Sequence, residues 1–250
     1  MRVQVLSDIH LEEKLEIPVI IPTCDTLFLA GDIGVLGHHL YETFIDYCSR
    51  GWDTIFYVLG NHELYSTTKS IDELINDYKN FFGKYNNIVL LDNSKCQFGG
   101  FQIIGCTFWG DFKGDKHISG SPKKIQVREN GSLVSIGGEG LTAKNVMSQK
   151  WILDNIHPIL PTIILTHFPL TLENDKVRQV RYRSEDKKVL QEYGTEMYLT
   201  TTNKVVCISG HTHFSHDFNK NGVRYISNQL GDNYEVKNRL CDYKESSYNL

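Results

Sequence analysis

Short apolar runs of this sequence end repeatedly in Asp, Asn or His residues, the side chains that bind divalent metal ions in proteins. Five groups follow such runs in chain order: Asp8-x-His10, Gly31-Asp32, Gly60-Asn61-His62-Glu63, Thr166-His167 and Gly210-His211-Thr212-His213. Carboxylate oxygen and imidazole nitrogen together suit ions such as Mn, Fe and Zn. One group alone is typical of a turn, since Gly and Asn favour turns. Their recurrence after apolar runs favours a metal site.

The spacing within two of these groups predicts that neighbouring side chains share an ion. Residues two apart on an extended chain point to the same side. We therefore expect Asp8 and His10 to reach one ion together, and His211 and His213 to repeat that geometry. Two ions about 3.5–4 Å apart, as in two-metal hydrolases, need a carboxylate that bridges them. Asp32 is the candidate for the bridge because it stands alone at the end of its run.

The apolar runs have the length and composition of buried strands, with turn residues at their ends. They cover residues 3–6, 26–30, 54–59, 88–91, 102–108, 162–166, 204–209 and 223–227. The pattern between them predicts helices at 38–50, 70–85, 141–156 and 186–199. Ser70 and Glu73 have the spacing of a capping box at the start of the second helix.

The order of these elements predicts an α/β fold. Strands alternate with helices in the first hundred residues, which indicates βαβ units. Gly99-Gly100 and Asn221-Gly222 separate strand-like runs, so part of the structure is expected to pair as antiparallel hairpins. We predict two packed mixed sheets with helices on both outer faces, a four-layer αββα sandwich, in a single domain over residues 1–250. Ligands bind beyond the carboxyl ends of strands in open α/β sheets, so the five groups should converge there.

The ordered set of groups resembles the calcineurin-like metallophosphoesterases over about residues 1–230. Asn228-Gln229-Leu230-Gly231 is similar to the Asn-Pro-x-Gly that ends the domain in many members, with Gln229 in place of Pro. The resemblance implies the metallophosphoesterase fold. It also implies a pair of divalent metal ions, Mn, Fe or Zn.

A role for each residue of the groups follows from the same resemblance. The implied ligands are Asp8, His10 and His213 for the first metal, Asn61, His167 and His211 for the second, and Asp32 for both. A hydroxide shared by the metals would attack phosphorus in line with the leaving group. His62 would touch a phosphate oxygen and protonate the leaving group, which makes His62 and Asp32 the catalytic candidates. The implied activity is hydrolysis of a phosphomonoester or a phosphodiester.

Other polar residues have structural explanations. Glu63 is expected to cap the helix that starts near it, because negative charge favours a helix N-terminus. Asp111 is expected to begin an irregular loop rather than to face the site. The remaining histidines are predicted to be surface or packing residues: His38, His39, His117, His157 and His216.

Two stretches without clear periodicity are candidate substrate loops, at residues 111–140 and 172–188. The second contains Arg178, Arg181 and Arg183, and arginine guanidinium groups suit phosphate oxygens. A solvated charged loop is the alternative explanation of these residues.

Net charge and apolar content indicate which classes of molecule the protein could bind. The formal net charge is -4, so a general electrostatic attraction to nucleic acid is not indicated. No run approaches the roughly 20 apolar residues of a membrane span, and the N-terminus lacks the apolar stretch of a signal peptide. We expect a cytoplasmic enzyme that acts on a phosphorylated small molecule or a nucleotide.

Two alternatives stay open at this point. A nuclease of the same family would share the metal set, although the net acidity of the chain argues against it. A non-catalytic scaffold would keep the fold as a protein-binding surface. The intact ligand groups together with His62 argue against the scaffold, which has no need of a general acid.

Overall fold

Parallel strands form the centres of two β-sheets in the computed structural model, which describes residues 1–112, 120–177, 191–199, 203–237 and 242–250. The described strands are Arg2–Leu6 (β1), Thr26–Leu29 (β2), Thr54–Tyr57 (β3), Ile88–Leu90 (β4), Ser94–Phe98 (β5), Phe101–Cys106 (β6), Gln126–Glu129 (β7), Ser132–Ser135 (β8), Thr162–Thr166 (β9), Val205–Ile208 (β10), His216–Lys220 (β11), Val223–Ser227 (β12) and Ser247–Asn249 (β13). The described helices are His39–Gly51 (α1), Ile71–Phe82 (α2), Ser121–Lys124 (α3), Gly137–Asn155 (α4), Asn174–Val177 (α5) and Asn233–Lys237 (α6). Short 3-10 turns cover Leu11–Glu13 and His62–Leu64.

Both sheets are mixed, as predicted. The first has the order β13-β1-β2-β3-β4 and the second β11-β12-β10-β9-β6-β5. Strands β1 to β4 are parallel, and β13 lies antiparallel at the edge. The second sheet has four parallel strands in its centre and an antiparallel hairpin strand at each edge. The hairpins turn at Gly99-Gly100 and Asn221-Gly222, where all four residues have positive φ.

Successive side chains of a strand point to opposite faces of its sheet and so pack in different layers of the sandwich. In β2, Phe28 packs in the apolar cluster between the two sheets, whereas Leu27 and Leu29 belong to the cluster that includes the helices. That outer cluster includes Phe44 of α1 and Ile152 of α4. Helices α1 and α2 contact the first sheet, and α4 contacts the second. The structure therefore confirms the predicted αββα fold.

Helix α2 begins at the predicted capping box. The Ser70 hydroxyl oxygen accepts a hydrogen bond from the Glu73 N–H at 3.4 Å, and the Glu73 carboxylate accepts one from the Ser70 N–H at 2.7 Å. These two bonds satisfy N–H groups that the first turn of a helix leaves without intrahelical partners.

The stretch after residue 120 is more regular than the sequence analysis predicts. Helix α3 leads into a hairpin of β7 and β8, whose turn residues Asn130 and Gly131 both have positive φ. Asn-Gly between two strands is the same turn signal as at Asn221-Gly222. The prediction of an irregular loop is therefore wrong for this part of residues 111–140.

Several predicted features lie outside the described residues. They are Arg178, Arg181, Arg183, His117 and the first part of the helix predicted at 186–199. The remainder of that segment is helical at 191–193 and non-helical at 194–199. None of the helices in the described ranges is long and apolar enough to cross a membrane.

Candidate metal centre

The ends of the two sheets are joined where the predicted ligand groups lie. Ser7, at the end of β1, forms a parallel bridge with Gln229, which follows β12 in the other sheet. The Ser7 N–H donates to the Asn228 carbonyl at 3.1 Å, and the Gly231 N–H donates to the Asp8 carbonyl at 2.9 Å. The four-residue segment 228–231 that replaces the usual Asn-Pro-x-Gly therefore connects the sheets beside the site.

Close backbone approach brings the groups together. Gly31 has a φ of 81°, and a Cβ at this position would lie 2.7 Å from both Gly60 N and His167 Nδ1. Only glycine combines a positive φ with this absence of side-chain volume at low cost. A larger residue at position 31 would push apart the ends of three strands.

Most of the candidate ligands lie on left-handed backbone. The φ angles are 52° at Asp8, 53° at His10, 51° at Asp32, 74° at His211 and 50° at His213. The prediction that the two x-spaced pairs sit on extended chain is therefore wrong. A non-glycine residue in this conformation costs on the order of 1–3 kcal/mol and persists where the surroundings enforce it.

The ligand carboxylates themselves help to enforce this backbone. Both Asp8 carboxylate oxygens lie 3.0 Å from the His211 N–H, which donates to them across the two sheets. Asp32 Oδ1 accepts a hydrogen bond from the His62 N–H at 2.8 Å. The second oxygen of Asp32 is left to face the imidazoles of the site.

Asp8, His10 and His213 form the first ligand group. Their candidate ligand atoms all lie within 4.8 Å of one another. His10 Nε2 lies 3.0 Å from His213 Nε2, and His213 Nε2 lies 3.5 Å from Asp8 Oδ1. The structure therefore brings together the three residues that the resemblance implies for the first metal.

His167, His211, Asn61 and Asp32 form the second group. His167 Nε2 lies 2.9 Å from Asn61 Oδ1 and 3.3 Å from Asp32 Oδ2. His211 Nδ1 lies 3.3 Å from His167 Nε2. Asp32 also has a carboxylate oxygen within 4.8 Å of a ring nitrogen of His10. Asp32 thus lies between the two groups, the position that a bridging carboxylate requires.

The donor chemistry of the imidazoles fits metal ions. Three of them have the nitrogen remote from the site bound to an acceptor: His10 Nδ1 to Glu12 at 3.3 Å, His167 Nδ1 to the Ala30 carbonyl at 2.8 Å, and His213 Nδ1 to the Glu235 carboxylate. Such outer acceptors hold the proton on the remote nitrogen and direct the other lone pair into the site, as around metal-bound histidines. The residues present therefore fit a divalent metal pair.

Opposite charges of the buried side chains in the site stabilise one another. Burial disfavours the ionised forms of Asp32 and His167, but each charge stabilises the other, so the pKa of Asp32 lies well below its ordinary value and the pKa of His167 rises to about 9. Burial likewise opposes the charge of His213, yet Glu235 and Asp8 raise its pKa to about 9. Binding of metal ions at neutral pH would displace the protons of these imidazoles.

His62 lies beside the ligand groups with an accessible side chain, 28% exposed. Its Nδ1 lies 2.8 Å from Glu12 Oε1, and its ring centroid lies 4.5 Å from that of His10. Burial opposes protonation of His62, but the charges of Asp32 and Glu12 outweigh it and raise its pKa. An imidazole in this position, when protonated, can act as an acid toward a group bound at the metals.

Glu63 does not cap the short helix, contrary to the sequence analysis. Its buried carboxylate accepts hydrogen bonds from the N–H groups of Asp32 at 2.9 Å, Ile33 at 2.8 Å and Gly60 at 2.9 Å. It also accepts one from the Tyr57 hydroxyl at 2.7 Å. Burial and the nearby charge of Asp32 raise the pKa of Glu63 to about 7. Glu63 therefore fixes the two turns that carry Asp32 and Asn61.

Some residues around the centre were not identified from the sequence. Glu12 and Glu235 hold ligand imidazoles, and the Tyr65 hydroxyl accepts from Asn61 Nδ2 at 2.7 Å, which turns Asn61 Oδ1 toward His167. The one indication in the sequence is that an acidic residue, Glu12, lies two positions after His10 in the group Asp8-x-His10. Asp111 accepts a hydrogen bond from the Thr142 hydroxyl of α4 at 3.1 Å.

The fold and the site define a class of protein, the calcineurin-like phosphoesterases. The family model for calcineurin-like phosphoesterase matches residues 1–215, and this chain belongs to that family.

Two known proteins are similar to the chain. An uncharacterized protein of Acanthamoeba polyphaga mimivirus is 31% identical over 228 residues, which cover 85% of this chain and 80% of the viral protein. The crystal structure of a phosphopantetheinyl hydrolase from Mycobacterium tuberculosis superimposes with a TM-score of 0.60 at 20% identity, covering 95% of this chain and 92% of that one. At that identity the likeness establishes the shared fold.

Proposed function

We propose that this phosphoesterase binds two divalent metal ions and hydrolyses a phosphomonoester or a phosphodiester. The observation that supports this most directly is the pair of ligand groups that meet at Asp32. Asp8, His10 and His213 would hold one ion, and Asn61, His167 and His211 the other. A scaffold protein would have no need for the outer acceptors that orient these imidazoles.

The metals, when bound, supply a nucleophile at neutral pH and screen the charge of the phosphate. The chain contributes position and proton transfer. Glu63 fixes the backbone of Asp32, and Glu12, Glu235 and the Ala30 carbonyl orient three imidazoles. His62 donates a proton to the departing oxygen, so that an alkoxide is not released. Such an acid typically contributes about 10²–10⁴-fold to the rate.

The proposed substrate is a phosphorylated small molecule or a nucleotide. The formal net charge of -4 gives the chain no general attraction to a polyanion, which makes a long nucleic acid the less favoured substrate. Mn, Fe and Zn are the proposed metals, because mixed imidazole and carboxylate ligands suit them.

A metal and substrate panel tests this proposal. The chain is stripped with a chelator, reconstituted with Mn, Fe or Zn, and assayed on p-nitrophenyl phosphate, its bis ester, cyclic nucleotides, nucleotides and single-stranded DNA. We expect up to two metal equivalents and metal-dependent release of product from at least one small phosphate ester. Two bound metals without hydrolysis of any substrate would support the scaffold, and cleavage of DNA alone would support the nuclease.

A further inference from the structure

We propose that Glu12 is the positioning residue of the general acid: its carboxylate holds His62 and the ligand His10 together, and so couples proton donation to the first metal. This inference rests on the proposed phosphoesterase function. It assigns a role to a residue that belongs to none of the five ligand groups.

The geometry of Glu12 is that of a shared acceptor. Its Oε1 lies 2.8 Å from His62 Nδ1 and 3.3 Å from His10 Nδ1. The rings of His62 and His10 meet edge to face, with centroids 4.5 Å apart. The Glu12 side chain is 20% exposed, and its other oxygen, Oε2, is buried without a hydrogen-bond partner in the described part of the chain. One carboxylate oxygen therefore contacts both imidazoles.

The backbone that presents Glu12 is itself fixed. Glu12 lies in the 3-10 turn Leu11–Glu13 that begins directly after His10. The buried Leu11 donates its N–H to the Ile33 carbonyl at 3.0 Å, and the Glu13 N–H donates to the His10 carbonyl at 2.9 Å. The turn is thus tied both to the ligand His10 and to the loop that carries Asp32.

The other carboxylates described here form hydrogen bonds with groups other than the His62 ring. Glu63 accepts four hydrogen bonds from backbone and Tyr57 groups, and Glu235 binds His213. Asp32 Oδ1 accepts the backbone N–H of His62 rather than its ring. Among the described residues, Glu12 is the carboxylate that contacts the His62 ring.

This contact decides which nitrogen of His62 can donate. A neutral imidazole carries one proton, and a carboxylate at Nδ1 keeps that proton on Nδ1. The second proton of the imidazolium is then on Nε2, which has no hydrogen-bond partner in the described ranges. As the P–O bond breaks, its electron pair passes to the leaving oxygen, and this oxygen takes the Nε2 proton. His62 is left neutral, with its Nδ1 proton still bound to Glu12.

The same carboxylate orients a metal ligand. With its Nδ1 proton directed to Glu12, His10 presents the lone pair of Nε2 to the first ligand group. Loss of Glu12 should therefore weaken metal binding at that group, and the imidazole of His62 should no longer be held in one orientation. A residue that only stabilised the fold would not produce these two effects together.

The test compares Glu12→Gln with Glu13→Gln, the matched change at an exposed neighbour in the same turn. Each variant is assayed on a p-nitrophenyl ester and an ethyl ester of the same phosphate type, at saturating metal. We expect Glu12→Gln to lower kcat on the ethyl ester by roughly 10–100-fold, the usual cost of losing an outer partner. The kcat on the p-nitrophenyl ester, whose leaving group needs no proton, should decrease far less. The kcat of Glu13→Gln should match that of the wild type on both esters.

A double-mutant cycle with His62→Asn separates positioning from packing. If Glu12 acts through His62, Glu12→Gln should cause little further loss on the ethyl ester once His62→Asn has removed the acid. Glu12→Asp, which keeps the charge, should retain more activity on the ethyl ester than Glu12→Gln. Equal losses on both esters, or additive losses in the cycle, would overturn the proposal.

A spectroscopic readout tests the contact without any turnover. Nitrogen-15 NMR of the zinc-loaded protein, at a pH where His62 is neutral, should show its proton on Nδ1, and Glu12→Gln should shift the population toward the Nε2 form. A neutral wild-type His62 whose single proton is on Nε2 would overturn the role of Glu12 whatever the activity. Absence of hydrolysis by a wild type with the Nδ1 form would instead count against the proposed function alone.

Discussion

The carboxylate of Glu63 accepts a hydrogen bond from the backbone N–H of Asp32 at 2.9 Å, so a buried side chain on one strand end fixes the central carboxylate on another. Glutamine at position 63 would offer one acceptor oxygen to four donors and direct an NH₂ group at backbone N–H groups. Leaving such buried donors unsatisfied costs about 1–3 kcal/mol.

We therefore expect Glu63→Gln to lower the free energy of unfolding by about that amount and to weaken metal binding. Urea denaturation and metal titration measure the two effects. Glu129→Gln, at an exposed position of β7, is the control. Unchanged stability and unchanged metal affinity would mean that the bonds to Asp32 and Gly60 are replaceable.

Asp32→Asn should damage metal binding and activity together. A neutral amide cannot balance two dications as a carboxylate does, and His167 would lose the negative charge of Asp32 that raises its pKa. The loss of metal affinity should exceed the roughly 10–100-fold that removal of an outer partner costs. Elemental analysis gives the stoichiometry, with Asp53→Asn at an exposed position as the control. Full activity with two metals in Asp32→Asn would show that this residue is not the bridge.

His62→Asn should retain both metals and lose rate according to the leaving group. For an alkyl ester the expected decrease in kcat is about 10²–10⁴-fold, the usual contribution of a general acid. The loss should shrink for p-nitrophenolate, which leaves without protonation. His157→Asn is a suitable control, because His157 lies away from the groups and binds backbone N–H groups of 159 and 160. An undiminished kcat on the alkyl ester would exclude His62 as the acid.

His216 should make stability depend on pH. Burial lowers the pKa of His216 from 6.5 to about 4 in the folded chain, despite the bond of its Nδ1 to the Phe214 carbonyl and the nearby charge of Asp217. Between these two values the unfolded chain binds more protons, so the free energy of unfolding decreases as the pH falls through this range.

The measurement compares urea unfolding of the wild type and His216→Gln at pH 7 and pH 5. From pH 7 to pH 5 the wild type should lose roughly 1–2 kcal/mol more stability than the variant. Parallel losses in the two proteins would show that His216 is protonated in the folded chain as readily as in the unfolded one.

The local pattern of apolar runs and polar residues in the sequence was sufficient to predict the fold and to group the candidate ligands. Strand ends followed by Asp, Asn or His are visible in the sequence, and parallel strands bring such ends to one edge. The role of Glu63 could not be predicted in this way, because the donors it binds lie on loops that meet only in the folded chain. The hydrogen bond between His213 and Glu235 could not be predicted for the same reason. Backbone conformation was also hidden, since the left-handed φ of Asp8 and His10 follows from contacts across the sheets.

Each of the two ligand groups takes residues from both sheets. Asp8 and His10 follow β1 of the first sheet, whereas His213 follows β10 of the second, and Asp32 and His167 are divided in the same way. Metal bound there would have to be released before the sheets could separate, so it would slow unfolding as well as stabilise the folded state. Proteases would then degrade the chain without bound metal first. The amount of this enzyme, and not only its specific activity, would follow the supply of its metals.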